Sequence, residues 1–172
     1  DSAMHRLLVI DPANKSGVAV FNADGNLERC FVVRAMGAKG KYLAAGNVYS
    51  NMRDAWFQVY DHCKPGRVII ERGFGSMSTA IDSQGMHYGM HRVFCAFAGL
   101  PEPARVNVSE WRRVIKESHA VSWPRESERC KELSISLCLK IWGKKITADE
   151  ADACLLGLAA IRMGMAEIAE GV

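Results

Sequence analysis

Three short apolar runs crowd the first 34 residues, and beyond them the periodicity changes. HRLLVID (5–11), GVAVFN (17–22) and LERCFVVR (27–34) each have the length and β-branched content of a strand. Ala23-Asp24-Gly25-Asn26 parts the second from the third, and its Asp-Gly pair suits a hairpin. Together the three predict an antiparallel meander. From Asn47 the period becomes helical: Val48, Met52, Trp56, Val59 and Cys63 recur until Lys64-Pro65-Gly66 stops them. A short strand, RVIIE (67–71), leads into the glycine-rich GFGSMST, and a helix is predicted over about 80–98. A fifth strand is predicted over 104–108, followed by a helix capped by Ser109. Pro124 and Glu126 open a further helix carrying Cys130, Leu133, Leu137 and Ile141. The last helix is predicted to start near Thr147 or Ala148 and to run to about Ala169. A meander followed by alternating helices and strands predicts an α/β fold: a five-stranded mixed sheet flanked by helices. A length of 172 residues suits one such domain. It is assigned to residues 4–172, with Asp1-Ser2-Ala3 ahead of Met4 read as an expression-tag remnant.

Six cysteines stand mostly inside apolar runs and form no C-x-x-C pair, the usage of buried thiols in a reducing compartment. No segment has transmembrane length and no signal peptide is recognised, so a cytoplasmic location without membrane contact is expected. A net charge of +3 is too mild to define a nucleic-acid partner by itself.

Carboxylates in apolar surroundings carry the chemistry. Two predicted strands end in an acid after an apolar run, Asp11 after four apolar residues and Glu71 after three. The last helix opens with Asp149, Glu150 and Asp152 before a long apolar stretch. First-turn acids complement the helix dipole by about 0.3–1 kcal/mol each, which accounts for Glu150. Asp149 and Asp152 are three apart and share a face with Leu156, so both are expected to point inward while Glu150 points out. Neighbouring carboxylates in low dielectric demand a cation, and the sequence offers few buried basic partners here. Carboxylate oxygens are hard ligands suited to Mg²⁺ or Mn²⁺. Asp11, Glu71, Asp149 and Asp152 therefore form a candidate site for two ions roughly 4 Å apart, an arrangement that cleaves phosphodiesters.

With these motifs in order, the chain resembles the RuvC-type Holliday junction resolvases of the RNase H-like superfamily, from Leu7 to Ile161. The family's D-P-G-x-x-x-T-G-like context stands here as D-P-A-N-K-S-G, its strand-ending Glu as E-R-G-F, and its D-x-x-D as D-E-A-D-A. W-R-R and R-E-S-E-R-C-K resemble basic segments of phage-encoded members. Ala13 for Gly and Ser16 for Thr set the chain apart from the bacterial housekeeping branch. The resemblance implies an RNase H-like fold and a homodimer that binds a four-way DNA junction in a bacterial cell or phage-infected host. It implies paired symmetric nicks leaving 5′-phosphate and 3′-hydroxyl ends, with Asp11, Glu71, Asp149 and Asp152 as catalytic metal ligands. Arg129 falls where the family places a Lys near the scissile phosphate, and Arg112 or Arg113 where it places another basic group. Phe74 matches an aromatic that probes the junction centre. With Lys15, Arg72 and Lys131 these make the expected DNA-binding set. Lys39, Lys41, Lys116, Arg125, Lys144 and Lys145 extend the basic rim a polyanion needs.

His87 and His91 lie four apart on a predicted helix with no third ligand evident, so an interface or DNA-facing role is expected rather than a metal. Gly85 and Gly89 would permit close helix approach at a dimer seam, and Met86, Met90, Val93, Phe94 and Phe97 read as core or interface. An actin-like or sugar-kinase ATPase shares the sheet topology, but its second phosphate loop and adenosine loop are missing, so no nucleotide cofactor is expected. The alternatives are another RNase H-fold nuclease acting on flaps, branched DNA or RNA–DNA hybrids, and an inactive junction-binding architectural protein.

Overall fold

The computed structural model describes residues 6–34, 45–73 and 78–166, apart from the side chains of 45–50 and 78–82. Five strands, β1 (Arg6–Asp11), β2 (Lys15–Phe21), β3 (Leu27–Arg34), β4 (Pro65–Arg72) and β5 (Ala104–Asn107), form one sheet in the order β3-β2-β1-β4-β5. β1, β2 and β3 are antiparallel neighbours, as the meander predicts, while β4 and β5 add in parallel to β1. Among the described residues the sheet is joined by five helices: α1 (Ala45–Cys63), α2 (Ser78–Phe97), α3 (Val108–His119), α4 (Ser127–Trp142) and α5 (Ala148–Arg162).

Strand alternation distributes the apolar residues to two faces. Leu7, Val9, Ala19, Phe21, Ile69 and Val106 pack on one side with α3, α4 and α5. Leu8, Ile10, Val18, Val20, Val68 and Ile70 pack on the other with α1 and α2. Period-two alternation then places Asp11, two after Val9, and Glu71, two after Ile69, toward the α5 side. β1 and β4 are parallel with Ile10 opposite Ile70, so both acids emerge at the same end of the sheet.

Several boundaries differ from the sequence reading. The N-cap of α3 is Asn107, not Ser109, because β5 ends there and Glu110 accepts a 2.8 Å hydrogen bond from the Asn107 backbone N–H. α5 stops at Arg162 rather than near Ala169: the apolar pattern persists through Met163 and Met165, but Gly164 turns the backbone to φ +74°. β4 begins at Pro65, since Lys64 at φ 43° already reverses the chain after α1.

His87 and His91 are not at an interface. Both are buried behind the sheet, where the Tyr60 hydroxyl lies 3.1 Å from His91 Nδ1 and Trp56 meets the His91 ring edge-on at 4.4 Å. Burial, with His87 adding to it, pushes His91 down to about 3, and burial lowers His87 as well. The unfolded chain therefore binds protons near pH 6.5 that the folded chain refuses, so stability falls as pH drops below that value. Between pH 7 and pH 5 His91 alone should cost about 2 kcal/mol. Urea denaturation at both pH values should show that His91→Leu loses less stability on acidification than the parent; an equal loss in both would assign the acid sensitivity elsewhere.

Candidate active site at the carboxylate end of the sheet

Asp11 closes β1, Glu71 stands one residue before the end of β4, and α5 brings Asp149 and Asp152 over the same end. Thr147 caps α5: its Oγ1 accepts from the Glu150 backbone N–H while Glu150 reaches back to the Thr147 N–H at 3.2 Å. Glu150 thus serves the helix end, as its position predicts. Asp11 feels the charges of Glu71, Asp152 and Asp149 together, so the structure brings all four predicted acids into one electrostatic site.

Burial is the largest influence on three of them. It pushes Asp11 well above the ordinary carboxylate range, and Glu71, Asp152 and Asp149 push it further while Arg112 opposes. Glu71 is pushed up to about 7 by burial, against the hydrogen bond from Trp111, with Asp152 adding to the rise and Arg112 opposing it. Asp152 is likewise raised by burial, with Ser134 and Arg112 pulling the other way.

The protein grips individual oxygens firmly. Trp111 Nε1 donates to Glu71 Oε2 at 2.8 Å, and Ser134 Oγ donates to Asp152 Oδ1 at 2.6 Å. The two tryptophans Trp111 and Trp123 meet edge to face at 5.3 Å, and the Arg112 guanidinium lies 5.4 Å and 4.9 Å from their ring centroids. Trp123 Nε1 in turn donates to the Arg112 carbonyl at 2.8 Å, tying this group to α3.

Two expectations about the acids are corrected here. Asp149 does not face the core: its side chain is 39% exposed and pairs with Lys15 Nζ at 3.3 Å. α5 is buried on nearly every side, so a face shared with Leu156 does not distinguish inside from outside. Basic partners are also less scarce than the local sequence implied, because Arg112 and Lys15 arrive from other elements.

Among the described residues, no three His, Cys, Asp or Glu side chains form a ready ligand set. The four acids share a field rather than a single coordination sphere, and Glu71, Asp149 and Asp152 are each tied in part to a neighbour. Donor chemistry nonetheless fits a hard divalent cation. Glu71 and Asp152 each keep an oxygen outside those hydrogen bonds, and Asp11, Glu71 and Asp152 are desolvated against one another. Such a cluster is relieved by protons or by a cation.

The remaining predicted residues divide by position. Lys131 on α4 lies in the field of Asp149 and Asp152, and its ammonium also pairs with Glu128 at 3.0 Å. Arg129, two residues earlier on the same helix, is exposed, as are Arg72 and Arg113. Arg112 is half-buried beside the carboxylates and Lys15 is bound to Asp149, so both belong to the site itself. Phe74, Lys39 and Lys41 lie outside the described residues. Trp123 and Ser134 were missed by the sequence reading, which marked Trp111 only as part of W-R-R and not as a partner of Glu71. Ser134 had left a trace, a polar residue four after Cys130 and three before Leu137 on an apolar stripe.

No protein-family model matches the chain, and no curated protein matches it. Solved structures do. Thermus thermophilus RuvC in complex with a Holliday junction substrate is similar with a TM-score of 0.69 at 18% identity, over 93% of this chain and 96% of that one. A second T. thermophilus RuvC structure gives 0.66 at 18% identity, over 92% and 96%. The chain therefore has the RuvC-type, RNase H-like fold.

Crowded, buried carboxylates favour protonation over ionisation. Asp11 binds its proton more tightly folded than unfolded, so its contribution worsens as pH rises above the ordinary carboxylate range. Asp11→Asn should therefore raise the melting temperature measured in EDTA at pH 7. A lower melting temperature by calorimetry would show that Asp11 is stabilised where it stands.

Proposed function

We propose that the protein is a metal-dependent endonuclease that resolves four-way DNA junctions by paired symmetric nicks. The observation that carries this reading is the convergence of three desolvated carboxylates and a fourth, exposed one at the strand ends of a RuvC-type fold. The similar T. thermophilus structure holds a Holliday junction substrate, which supports branched DNA as the ligand class.

Asp11, Glu71, Asp149 and Asp152 would hold two Mg²⁺ or Mn²⁺ ions, whose chemistry is activation of a water and stabilisation of the leaving 3′ oxygen. The protein's own groups prepare that event. Trp111 fixes Glu71 and Ser134 fixes Asp152, so the acids are oriented before substrate arrives. Arg112 supplies a positive charge beside the acids, offsetting part of the repulsion among them. Lys15 and Lys131 flank Asp149 and Asp152 and provide phosphate-binding cations at the mouth. Exposed Arg72, Arg113 and Arg129 extend that rim, and Phe74 would stack at the junction centre. Attack on the phosphorus then leaves a 5′-phosphate and a 3′-hydroxyl.

Symmetric nicking needs two sites, and an apolar face supports a homodimer. Phe57, Val93 and Phe97 are exposed around a hollow of about 300 Å³ floored by Met52, Met86, Met90 and Phe94. A hydrophobic patch of this kind on α1 and α2 suits a second copy of the chain. A Cβ at Gly85 or Gly89 would meet nothing within 4 Å, so neither glycine is needed for close packing inside the chain.

Incubation with a synthetic four-way junction, a flap and an RNA–DNA hybrid should yield paired nicks in the junction only, with Mg²⁺ and not with EDTA. Efficient hybrid cleavage beside an uncut junction would assign the protein to another branch of the fold. Asp152→Asn should lose cutting by a factor of at least about 10² while gel-shift affinity for the junction is kept; cutting at the parental rate would remove Asp152 from the site. In sedimentation equilibrium the parent should be a dimer and Phe97→Asp a folded monomer. A Phe97→Asp protein that stays dimeric would move the interface elsewhere.

A further inference from the structure

Close to the acids, α5 and β2 meet backbone to backbone at a glycine. Gly17 of β2 is the ladder partner of Asp11. On its outer side Gly17 meets the first turn of α5: a Cβ built there would fall 1.9 Å from the Asp149 carbonyl oxygen and 2.5 Å from its carbon. Both obstacles are backbone, so no side-chain rotation could relieve them. Any larger residue must push the start of α5 off the sheet by about 1.5 Å to reach an ordinary contact.

We propose that Gly17 is a positioning residue: by letting the helix backbone rest on the strand opposite Asp11, it fixes how closely Asp149 and Asp152 approach Asp11 and Glu71. The inference rests on the metal-site reading above. Its physical content is that cation binding by carboxylates from two elements depends steeply on their separation. A displacement of about 1 Å at a reacting centre is enough to lose roughly 10²-fold in rate. Gly157 provides a matched comparison. It lies on the same helix and also faces β2, but its Cβ would meet the Phe21 ring, at 2.2 Å, about two turns beyond the Asp149 backbone that Gly17 touches.

Gly17→Ala and Gly157→Ala should both melt below the parent. Only Gly17→Ala should weaken Mn²⁺ binding, by tenfold or more in a calorimetric or paramagnetic titration without DNA, and slow junction nicking by about 10²-fold. Junction affinity should be unchanged in both. Parental Mn²⁺ affinity in Gly17→Ala would overturn the proposal, as would equal weakening in Gly157→Ala. A parent that binds no Mn²⁺ would instead overturn the metal-site reading itself. Amide exchange on the metal-free parent supplies a measurement independent of any variant. The Ala151 and Asp152 amides should already be protected like the core, because the contact with Gly17 is made without the ion. A first turn that becomes protected only when Mn²⁺ is added would mean that the ion, not Gly17, sets the spacing.

Discussion

Mutual repulsion among desolvated carboxylates is the constraint around which the rest of the molecule is arranged. Asp11, Glu71 and Asp152 are held out of water and close enough to raise one another's affinity for protons. Nothing in a folded chain tolerates that without compensation. Here it is spread over several elements. An indole from α3 donates to Glu71, a serine from α4 donates to Asp152, and a guanidinium held beside two tryptophans supplies positive charge. Each of these side chains stabilises a state in which the acids are ionised, which is the state a divalent ion requires.

The fold holds the cluster together mechanically. β1 and β4 are interior strands whose side chains fill both cores, so Asp11 and Glu71 are mounted on well-packed backbone. α5 is buried on almost all sides by β2, α3 and α4, and its apolar body anchors an acidic first turn. On the opposite face α1 and α2 cover the sheet with an aromatic cluster of Trp56, Tyr60, His91 and Phe94. The two cores are independent in composition, and only one of them borders the acids.

Much of this was legible in the sequence. The five strands and their order of appearance follow from short apolar runs and the Asp-Gly turn, because the periodicity of a half-buried strand is local. The four acids stood out because each broke an apolar pattern. What local patterns could not provide was orientation and long-range pairing. The two histidines at helical spacing read as surface groups, yet α2 turns them into the core against Tyr60. Asp149 read as inward, yet Lys15 from β2 holds it at the rim. Trp111 is separated from Glu71 by 40 residues, and no spacing rule links an indole in one helix to the end of a distant strand. Helix ends were also misplaced where a cap at Asn107 or a glycine at 164 outweighed hydrophobic continuity.

Asp11 lies on the first strand and its helix-borne partners on the last helix, about 140 residues later. No contiguous fragment that lacks α5 contains more than half of the four acids. A ribosome making this protein therefore exposes no complete carboxylate cluster while the sheet is assembling. The loop that must close to create the site is nearly as long as the chain, so its closure belongs to the late, non-local part of folding. Under the proposed nuclease reading, catalytic competence would be a report on finished tertiary structure. For a chain that would cut DNA, that sequence of events keeps partly made or partly unfolded molecules harmless.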